Sequence, residues 1–330
     1  MQDERTVIQE SEHIFHTSVM ATECREQMHY KNDQVIADLT LGYAGHALEA
    51  AKEIGKYGML IGIDQDSAAL ELAKARLEAL PEEDRPLLVL LHGNFDELDK
   101  LLLSVNVPGV DRILIDAGLS KMQIDNTERG FSYMEDGPLD MRMDPSTQTL
   151  NAAEIINTYN VADLTRVLRD YSDERWANRI AKFIVSARQA KPIETSGQLV
   201  EIIKAAVPAS ARREGPHPAR RCFQALRIEV NHELDALRSG LDAAIRWLNP
   251  DGIIAVLSYH SLEDRIVKDA FQNAADRCTC PPGLPVCVCN RKPILEIVTR
   301  KPIVPSVEEI KRNPRSRSAK LRVARKLKTE

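Results

Sequence analysis

The first third of the chain alternates short apolar runs with helical patterns, and this alternation constrains the fold more than any other feature. The apolar runs have the length of buried strands and lie at Val35–Leu39, Met59–Asp64, Leu87–Leu91 and Val110–Asp116. The segments between them have helical periodicity, and the longest, Ser67–Leu80, follows an N-cap residue type, Asp66. Strands and helices in this order indicate a parallel sheet with right-handed crossovers, so we predict an α/β fold.

The alternation stops after the fourth strand and resumes in the second half of the chain. Residues 123–216 contain several helical patterns and no convincing strand. After them come a long amphipathic helix, Cys222–Leu248, and a turn signal, Asn249-Pro-Asp-Gly. Three further strand candidates follow, at Ile253–Ser258, Leu295–Thr299 and Lys320–Leu327, with a helix capped by Ser261 after the first. We therefore predict a discontinuous α/β domain, 1–122 and 217–330, with residues 123–216 as a helical insertion domain.

Composition excludes several classes of protein. Hydrophobic residues make up 43% of the 330 residues, enough for a buried core, and charged residues make up 28%. No run approaches the roughly 18 apolar residues of a membrane span, and the polar N-terminus lacks the apolar core of a signal peptide. We therefore expect a cytoplasmic protein with no membrane association.

A net charge of −5 conceals two basic segments. Residues 311–330 contain nine lysines and arginines and one acid, and a second cluster lies at Arg212, Arg213, Arg220, Arg221 and Arg227. Such patches attract polyanions whatever the total charge. A solvated tail explains the first segment equally well from composition alone.

The loop after the first strand has the features of a cofactor site. It begins at Asp38 and contains Gly42, Ala44, Gly45 and His46, where glycines let backbone approach a ligand at the carboxyl end of the strand. The second strand ends in Asp64, 22 residues after Gly42, which suits a carboxylate that accepts hydrogen bonds from a ribose. The loop is not G-x-G-x-x-G, which disfavours a nicotinamide dehydrogenase. It favours S-adenosylmethionine, with an ordinary strand-to-helix turn capped by Asp38 as the alternative.

Two later strand ends strengthen the cofactor hypothesis. Phe95 follows the third strand, where an aromatic ring could pack on adenine, and Asp116 ends the fourth. A lone phenylalanine is usually part of a core and a lone aspartate is usually a cap. Their recurrence at successive strand ends favours the cofactor interpretation.

Longer motifs make the chain similar to one family, the rRNA small subunit cytosine-N4 methyltransferases known as RsmH or MraW. The motifs run from His16 to Arg322 and include Asp38-Leu-Thr-Leu-Gly-Tyr-Ala-Gly-His46, Asp125-Asn-Thr-Glu-Arg-Gly-Phe-Ser132, Asp136-Gly-Pro-Leu-Asp-Met-Arg-Met143, Ser258-Tyr-His-Ser-Leu-Glu-Asp-Arg265 and Asn313-Pro-Arg-Ser-Arg-Ser-Ala-Lys-Leu-Arg322. The resemblance implies a class I, Rossmann-like methyltransferase fold with a helical insertion domain after the fourth strand that recognises the substrate.

The same resemblance implies a cofactor, a substrate and a set of contacts. The cofactor is S-adenosylmethionine, and its contacts fall on Ala44, Gly45, His46, Asp64, Phe95, Asp116 and Gln123. The substrate is a cytidine in the decoding region of 16S rRNA, presented within the small ribosomal subunit. The protein itself is expected to be a monomer or a homodimer. A DNA amino-methyltransferase is disfavoured because no Asp/Asn-Pro-Pro-Tyr/Phe motif is present.

Departures from the family pattern keep a second hypothesis open. The loop has Ala44 where the family usually has glycine, and Lys121 puts a charge after the fourth-strand motif. The alternative is an RNA-binding or ribosome assembly protein that retains the fold with weakened catalysis.

Chemical reasoning assigns roles to the remaining candidates. Cytosine N4 is a poor nucleophile that needs a proton acceptor, which predicts Asp116 as the catalytic carboxylate with Ser120 as its helper. RNA contacts are expected from Arg129, Arg142, Arg220, Arg221, Arg227 and His260. Each arginine is equally compatible with a structural salt bridge, and His260 with Glu263 could instead cap a helix.

Four cysteines lie close together near the C-terminus, at Cys278, Cys280, Cys287 and Cys289. Four thiolates in a reducing compartment predict a structural zinc site, although C-x-C is tighter than the usual C-x-x-C spacing. Disulfides and free thiols are the alternatives. Methyl transfer to an amine needs no covalent cysteine, so Cys222 is expected to be a buried helix residue.

Overall fold

A computed structural model describes residues 18–213, 217–275 and 292–328. The chain divides into two compact units: residues 1–118 with 237–330, here called the sheet unit, and residues 119–236, the helical unit. The helical unit is longer at both ends than the predicted insertion, 123–216.

The sheet unit contains seven strands, and their bounds agree closely with the apolar runs of the sequence. The strands are β1 Val35–Asp38, β2 Met59–Asp64, β3 Leu87–His92, β4 Val110–Asp116, β5 Leu248–Ser258, β6 Leu295–Ile297 and β7 Lys320–Lys326. Its helices are α1 Ala21–Met28, α2 Gly45–Ile54, α3 Ser67–Glu78, α4 Leu98–Ser104, α12 Glu233–Trp247, α13 Ser261–Ala275 and α14 Val307–Arg312. The first four residues of α12, 233–236, belong to the helical unit.

The strand order is β3-β2-β1-β4-β5-β7-β6. Strands β1 to β5 are parallel, whereas β7 runs antiparallel to both β5 and β6. The order reverses between β1 and β4, which is the switch point where open α/β sheets bind ligands. The predicted α/β class with a Rossmann-like parallel sheet is confirmed.

Helices cover both faces of this sheet, because its central strands are apolar on both sides. On one face Ile61, Ile113 and Val256 pack with residues of α4, α12 and α13. On the other face, Ile36 and Leu60 pack against α2 and α3, and residues of β5 and β7 pack against α1. The carboxyl ends of the parallel strands are therefore held rigidly side by side.

The helical unit has its own core. Its helices are α5 Lys121–Asp125, α6 Ala152–Thr158, α7 Val161–Asp170, α8 Ala177–Arg188, α9 Ser196–Ala206, α10 Ala209–Arg213 and α11 Ala219–Asn231. The apolar faces of α6, α7, α8, α9 and α11 converge on one buried cluster that includes Ile155, Leu164, Ile180, Leu199 and Leu226. Cys222 is fully buried in α11, as predicted.

Two segments of the predicted secondary structure, a helix and a turn, were wrong. The long helix predicted over Cys222–Leu248 is two helices, α11 and α12, because His232 adopts a left-handed conformation with φ 51°. The turn predicted at Asn249–Gly252 is instead an irregularity within β5. The pairing of β5 with β4 shifts there from Val110↔Leu248 to Arg112↔Ile253. Asp251 has φ 62° in this irregularity.

Within the described part of the chain, none of the helices combines the length and apolar character required to cross a lipid bilayer.

Candidate active site

Three carboxylates lie at the carboxyl ends of three neighbouring strands. Asp38 ends β1, Asp64 ends β2 and Asp116 ends β4, and β1 lies between the other two strands. Since the strands are parallel and about 4.8 Å apart, their ends share one edge of the sheet. The structure therefore brings together the three acids predicted from the sequence.

Asp64 organises the loop that follows β1. Its Oδ2 accepts a hydrogen bond from the Gly42 N–H at 2.7 Å, and its Oδ1 accepts one from the Asp66 N–H at 2.8 Å. Gly42 has φ 49°, a left-handed conformation that glycine adopts without steric cost. A carboxylate has about four lone-pair sites, so Asp64 keeps acceptor capacity for a ligand after bonding to the loop.

Ala44 lies between Gly42 and Gly45 in the loop after β1. Its backbone is left-handed, with φ 58° and ψ 31°, and its side chain is buried against the core beside α2. This conformation costs an L-residue about 1–2 kcal/mol. The methyl group of Ala44 therefore fits without a steric clash, and the free-energy cost comes from the left-handed conformation of its backbone.

Ala44→Gly is expected to change the free energy of unfolding by less than about 1 kcal/mol. The relief of roughly 1–2 kcal/mol of backbone strain is offset by about 0.8 kcal/mol of lost burial and about 0.4–1 kcal/mol of added freedom in the unfolded chain. The matched control is Ala47→Gly, a buried helical alanine with no such strain to relieve. It should lose about 2 kcal/mol. Equal losses in the two variants, measured by denaturant unfolding, would contradict this balance.

Asp116 is held by side chains that follow two other strands, Tyr259 after β5 and Thr40 after β1. Its Oδ1 accepts a hydrogen bond from the Tyr259 hydroxyl at 2.7 Å, and its backbone N–H donates to Thr40 Oγ1 at 2.7 Å. Thr40 Oγ1 lies 3.5 Å from Asp38 Oδ1 and links the ends of β1 and β4. A Cβ added at Gly118 would lie 2.6 Å from the Tyr259 ring, so glycine is required there for the ring to reach Asp116.

Burial raises the pKa of these carboxyl groups. The pKa of Asp116 is raised to about 6, although the hydrogen bond from Tyr259 lowers it in part. The pKa of Asp38 is raised to about 7 by burial, against a hydrogen bond from the Thr40 N–H and with repulsion from Asp116. The pKa of Asp64 is also raised by burial. Such a group of acids is electrostatically suited to a positively charged ligand, which would stabilise their ionised forms.

His46, the second residue of α2, lies beside this group. Its Nε2 lies 3.9 Å from Asp116 Oδ2 and is buried with no hydrogen-bond partner among the described residues. Burial lowers the pKa of the ring to about 4, so the imidazole is neutral near neutral pH. A buried ring nitrogen without a partner is costly in free energy and is the kind of atom that a bound ligand satisfies.

Phe95 begins a short 3₁₀ turn after β3. Asn94 caps this turn by accepting a hydrogen bond from the Asp96 N–H at 3.3 Å. The ring is partly buried and packs against Gly240 of α12, where an added Cβ would lie 2.3 Å from Phe95 Cδ2. Its predicted stacking on adenine stays a prediction.

Ser120 and Gln123 lie in the helical unit and bond to each other. The Ser120 N–H donates to Gln123 Oε1 at 3.0 Å, and the Gln123 N–H donates to Ser120 Oγ at 3.3 Å. This reciprocal arrangement caps α5. Their catalytic and cofactor roles remain predictions, and the side chain of Lys121 lies outside the described residues.

Four of the five arginines predicted to contact RNA form hydrogen bonds within the helical unit. Arg129 donates to the carbonyls of Arg142 and Met143, and Arg142 pairs with Asp140 at 2.7 Å. Arg227 forms a bidentate pair with Glu233 at 2.7 and 2.8 Å. Arg221 is exposed and donates to the Asp173 carbonyl at 3.3 Å, and Arg220 is exposed.

His260 and Glu263 bond around the start of α13. Glu263 Oε2 accepts from the N–H groups of Tyr259 and His260 at 2.6 and 3.1 Å. The Glu263 N–H in turn donates to His260 Nδ1 at 3.3 Å. The capping alternative for this pair therefore matches the contacts, and the RNA-binding role of His260 stays a prediction. Ser261, predicted as the cap, is the first helical residue instead.

Tyr259 and Thr40 are site residues that sequence reasoning missed. Both stand within the motifs that carry the family resemblance, Ser258–Arg265 and Asp38–His46. The available signal was a polar side chain directly after a strand, the same signal that identified Asp116. Tyr259 directly follows β5, next to β4 in the sheet.

The four cysteines of the predicted zinc site, Cys278, Cys280, Cys287 and Cys289, lie outside the described residues. Within the described ranges, no group of three or more His, Cys, Asp or Glu side chains is arranged to hold a metal ion.

Known proteins resemble this chain over nearly its whole length. Residues 13–327 match the model of the MraW methylase family. Ribosomal RNA small subunit methyltransferase H of Clostridioides difficile (strain 630) is 48% identical over 312 residues, which cover 94% of this chain and 99% of the relative. The protein of the same name from Symbiobacterium thermophilum is 52% identical over 312 residues, covering 94% and 96%. An rRNA methylase structure from Streptococcus thermophilus superposes with a TM-score of 0.38 at 10% identity, over 96% of this chain and 99% of that chain.

Proposed function

Since the chain belongs to the MraW methylase family, we propose that it transfers a methyl group from S-adenosylmethionine to the N4 amine of a cytidine in the decoding region of 16S rRNA. The observation that carries the proposal is Asp116, a partly buried carboxylate at the end of the central strand β4, held by Tyr259 beside His46 of the loop that follows β1. The proposed substrate is the rRNA within the small ribosomal subunit, in the cytoplasm. The relatives named above carry names that specify small-subunit rRNA methylation.

The residues present fit this cofactor. S-adenosylmethionine carries a sulfonium and an ammonium group, and Asp38, Asp64 and Asp116 lie together at one edge of the sheet. Asp64 retains acceptor capacity for ribose hydroxyls, and the unpartnered Nε2 of His46 can hydrogen-bond to the amino-acid end. In this proposal Gly42, Ala44 and Gly45 supply the backbone of the loop, and Phe95 completes the binding residues of the sheet unit.

The protein's own residues then position the amine and accept its proton. The bound cofactor supplies the methyl group and the thioether leaving group. Asp116 accepts a hydrogen bond from N4, which favours a lone pair directed at the methyl group, and removes a proton as the new C–N bond forms. Tyr259 holds the Asp116 carboxylate in position and, by donating to it, favours the ionised form that this role requires.

The proposal is tested by mass spectrometry of small-subunit rRNA from cells with and without this protein. We expect one cytidine to lose a single methyl group, on N4, when the protein is absent, and to regain it when the protein is restored. Unchanged cytidine methylation would refute the proposed reaction. If purified protein then still bound small subunits, the assembly-protein alternative would be favoured.

Tyr259→Phe is expected to lower the methyl-transfer rate at neutral pH about two- to tenfold. A hydrogen bond to a charged group contributes about 1.5–3 kcal/mol, so its loss should raise the pKa of Asp116 by about one unit or more above 6. The acidic limb of the pH–rate profile should move upward by that amount, and the rate should largely recover at alkaline pH.

The matched control for this variant is Tyr57→Phe, the same chemical change at a tyrosine that is 75% exposed. It should leave the pH–rate profile unchanged. If Tyr259→Phe lowered the rate equally at all pH values, Tyr259 would have a structural role and no influence on the ionisation of Asp116.

A further inference from the structure

A carboxylate that is only 2% exposed lies at the start of α13. It belongs to Glu263, whose Oε2 accepts hydrogen bonds from the N–H groups of Tyr259 and His260 at 2.6 and 3.1 Å. Its Oε1 lies 3.0 Å from His260 Nε2. Burying a charged group costs free energy that burying a neutral amide largely avoids.

The imidazole of His260 completes this set of contacts. The Glu263 N–H donates to His260 Nδ1 at 3.3 Å, so in the neutral ring the proton is on Nε2 and faces Glu263 Oε1. The contact between Nε2 and Oε1 is close but is not aligned as a hydrogen bond. The carboxylate, the ring and the two backbone N–H groups thus form one buried polar cluster within residues 259–263.

The same pair of backbone bonds caps another helix of this protein. At the start of α9, Gln198 Oε1 accepts the N–H groups of Glu194 and Thr195 at 2.8 and 3.3 Å. Gln198 and Glu263 are each the third residue of their helix, which is the position of the acceptor in a capping box. A neutral amide is therefore sufficient to cap a helix in this way, and capping does not require the charge of Glu263.

The residue that Glu263 holds distinguishes α13 from α9. The Tyr259 N–H bonds to Glu263 at 2.6 Å, and the Tyr259 hydroxyl bonds to Asp116 at 2.7 Å. A single residue therefore connects Glu263 to the carboxylate that accepts the proton in the proposed reaction. A displacement of the Tyr259 main chain would also displace the hydroxyl that holds Asp116.

The charge of Glu263 also acts on Asp116 directly. Burial is the main cause of the raised pKa of Asp116, and repulsion from the Glu263 carboxylate raises this pKa further. Other titratable and charged groups around these two carboxylates are Cys24 of α1, Asp38 of β1, His46 of α2, Tyr259 after β5, His260, and Asp264 of α13 with its partners Lys320 and Arg322 of β7.

We propose that Glu263 is a positioning residue for methyl transfer, which acts on Asp116 through Tyr259 and through its own negative charge. This inference rests on the proposed function, in which Asp116 accepts the proton of the amine. A like charge nearby makes Asp116 a better proton acceptor. The bond from Glu263 to the Tyr259 main chain keeps the Asp116 carboxylate oriented.

Two substitutions separate the effect of the charge from the effect on position. Glu263→Gln keeps an acceptor oxygen for the two N–H groups and removes the charge, whereas Glu263→Ala removes both. Each is made in the full chain, alone and together with Tyr259→Phe. The matched control is Gln198→Ala, which removes the same pair of backbone bonds at the start of α9.

Three quantities are measured for each variant. They are the rate of methyl transfer to small ribosomal subunits from cells that lack the protein, as a function of pH, the titration of Asp116 in the ligand-free protein by NMR of isotopically labelled aspartate, and unfolding by denaturant. The NMR signal of Asp116 is identified by its disappearance in Asp116→Asn.

Glu263→Gln should move the acidic limb of the pH–rate profile and the NMR midpoint of Asp116 to lower pH, which is opposite to the effect expected for Tyr259→Phe. From a pKa of about 6, a downward shift of about half a unit would raise the rate at about pH 5.5, as a fraction of its plateau, about twofold. Gln198→Ala should lose stability through the loss of a cap and leave the acidic limb and the midpoint unchanged.

The effect on position appears in the comparison of the two substitutions. At neutral pH, Glu263→Ala should transfer methyl groups about two- to tenfold more slowly than Glu263→Gln, since only the amide still holds Tyr259. In the Tyr259→Phe background the two should have equal rates, because the hydroxyl through which the position acts is absent.

An acidic limb that stays in place or moves upward in Glu263→Gln would overturn the inference. So would the same ratio of the alanine and glutamine rates in both backgrounds, which would make Glu263 a helix cap alone. Failure of the proposed function gives a different result. In that case the wild-type protein transfers no methyl group to small subunits, while the NMR midpoint of Asp116 still moves downward in Glu263→Gln.

Discussion

Asp116→Asn is expected to lower the rate of methyl transfer about 100- to 10,000-fold, the usual contribution of a positioned proton acceptor. The amide oxygen can still accept the hydrogen bond from Tyr259, so the geometry at the end of β4 should persist. An amide does not take up a proton near neutral pH, and the lost rate should not recover as the pH is raised. Single-turnover assays with small ribosomal subunits measure the effect.

The same substitution should stabilise the protein without ligand at neutral and alkaline pH. The pKa of Asp116 is raised by folding to about 6, so the folded state holds the proton more tightly than the unfolded state. The contribution of this group to the free energy of unfolding is therefore largest below its ordinary pKa and falls as the pH rises through about 6. A neutral amide avoids that loss, so Asp116→Asn should melt at a higher temperature than wild type at pH 8 and not at pH 4.

Asp84→Asn is the matched control, since it makes the same change at an exposed turn residue. It should leave both the rate and the melting temperature unchanged. An Asp116→Asn enzyme with more than a tenth of the wild-type rate would remove Asp116 from the catalytic role.

The residues at the strand ends could be predicted because a short sequence pattern marks each of them. An apolar run followed by an acid marks Asp38, Asp64 and Asp116 in the sequence, and a parallel sheet necessarily brings such ends to one edge. The loop glycines follow from the same reasoning, because Gly42 has the positive φ for which glycine is favoured. For these residues, the local sequence pattern is enough to predict their position in the fold.

Contacts between distant segments could not be predicted in this way. Tyr259 and Asp116 are 143 residues apart, and their hydrogen bond depends on β5 lying next to β4. Likewise, nothing near Arg129 or Arg227 in the sequence indicates which groups their guanidiniums would bond to in the fold.

The break between α11 and α12 shows a limit of periodicity. Apolar residues recur at helical spacing on both sides of His232, so the pattern predicts one helix across it. Helix α11 ends because His232 is left-handed, a conformation that a few residue types such as Asn, Asp and His adopt more readily than others. Such a tendency is too weak to identify a helix end from the sequence.

Asp64→Ala is expected to weaken S-adenosylmethionine binding about 10- to 100-fold. The carboxylate accepts the N–H groups of Gly42 and Asp66 and has lone pairs left for a ribose. Its removal loses the hydrogen bonds to the ligand and also leaves the loop N–H of Gly42 without its acceptor. Each hydrogen bond to a charged group contributes about 1.5–3 kcal/mol, and 1.4 kcal/mol is about tenfold in affinity.

The control is Asp66→Ala, a substitution at a nearby residue, which distinguishes a loss of cofactor affinity from a loss of stability. Asp66 caps α3 by accepting a hydrogen bond from the Ala68 N–H at 3.1 Å, so its loss should cost about 1 kcal/mol of unfolding free energy. The affinity for S-adenosylmethionine, measured by isothermal titration calorimetry, should nevertheless stay close to wild type. Asp64→Asn should fall between the two, because the amide keeps one acceptor oxygen and replaces the other with a donor. If Asp64→Ala and Asp66→Ala weakened binding equally, the effect would arise from a destabilised loop, and Asp64 would have no direct part in holding the ribose.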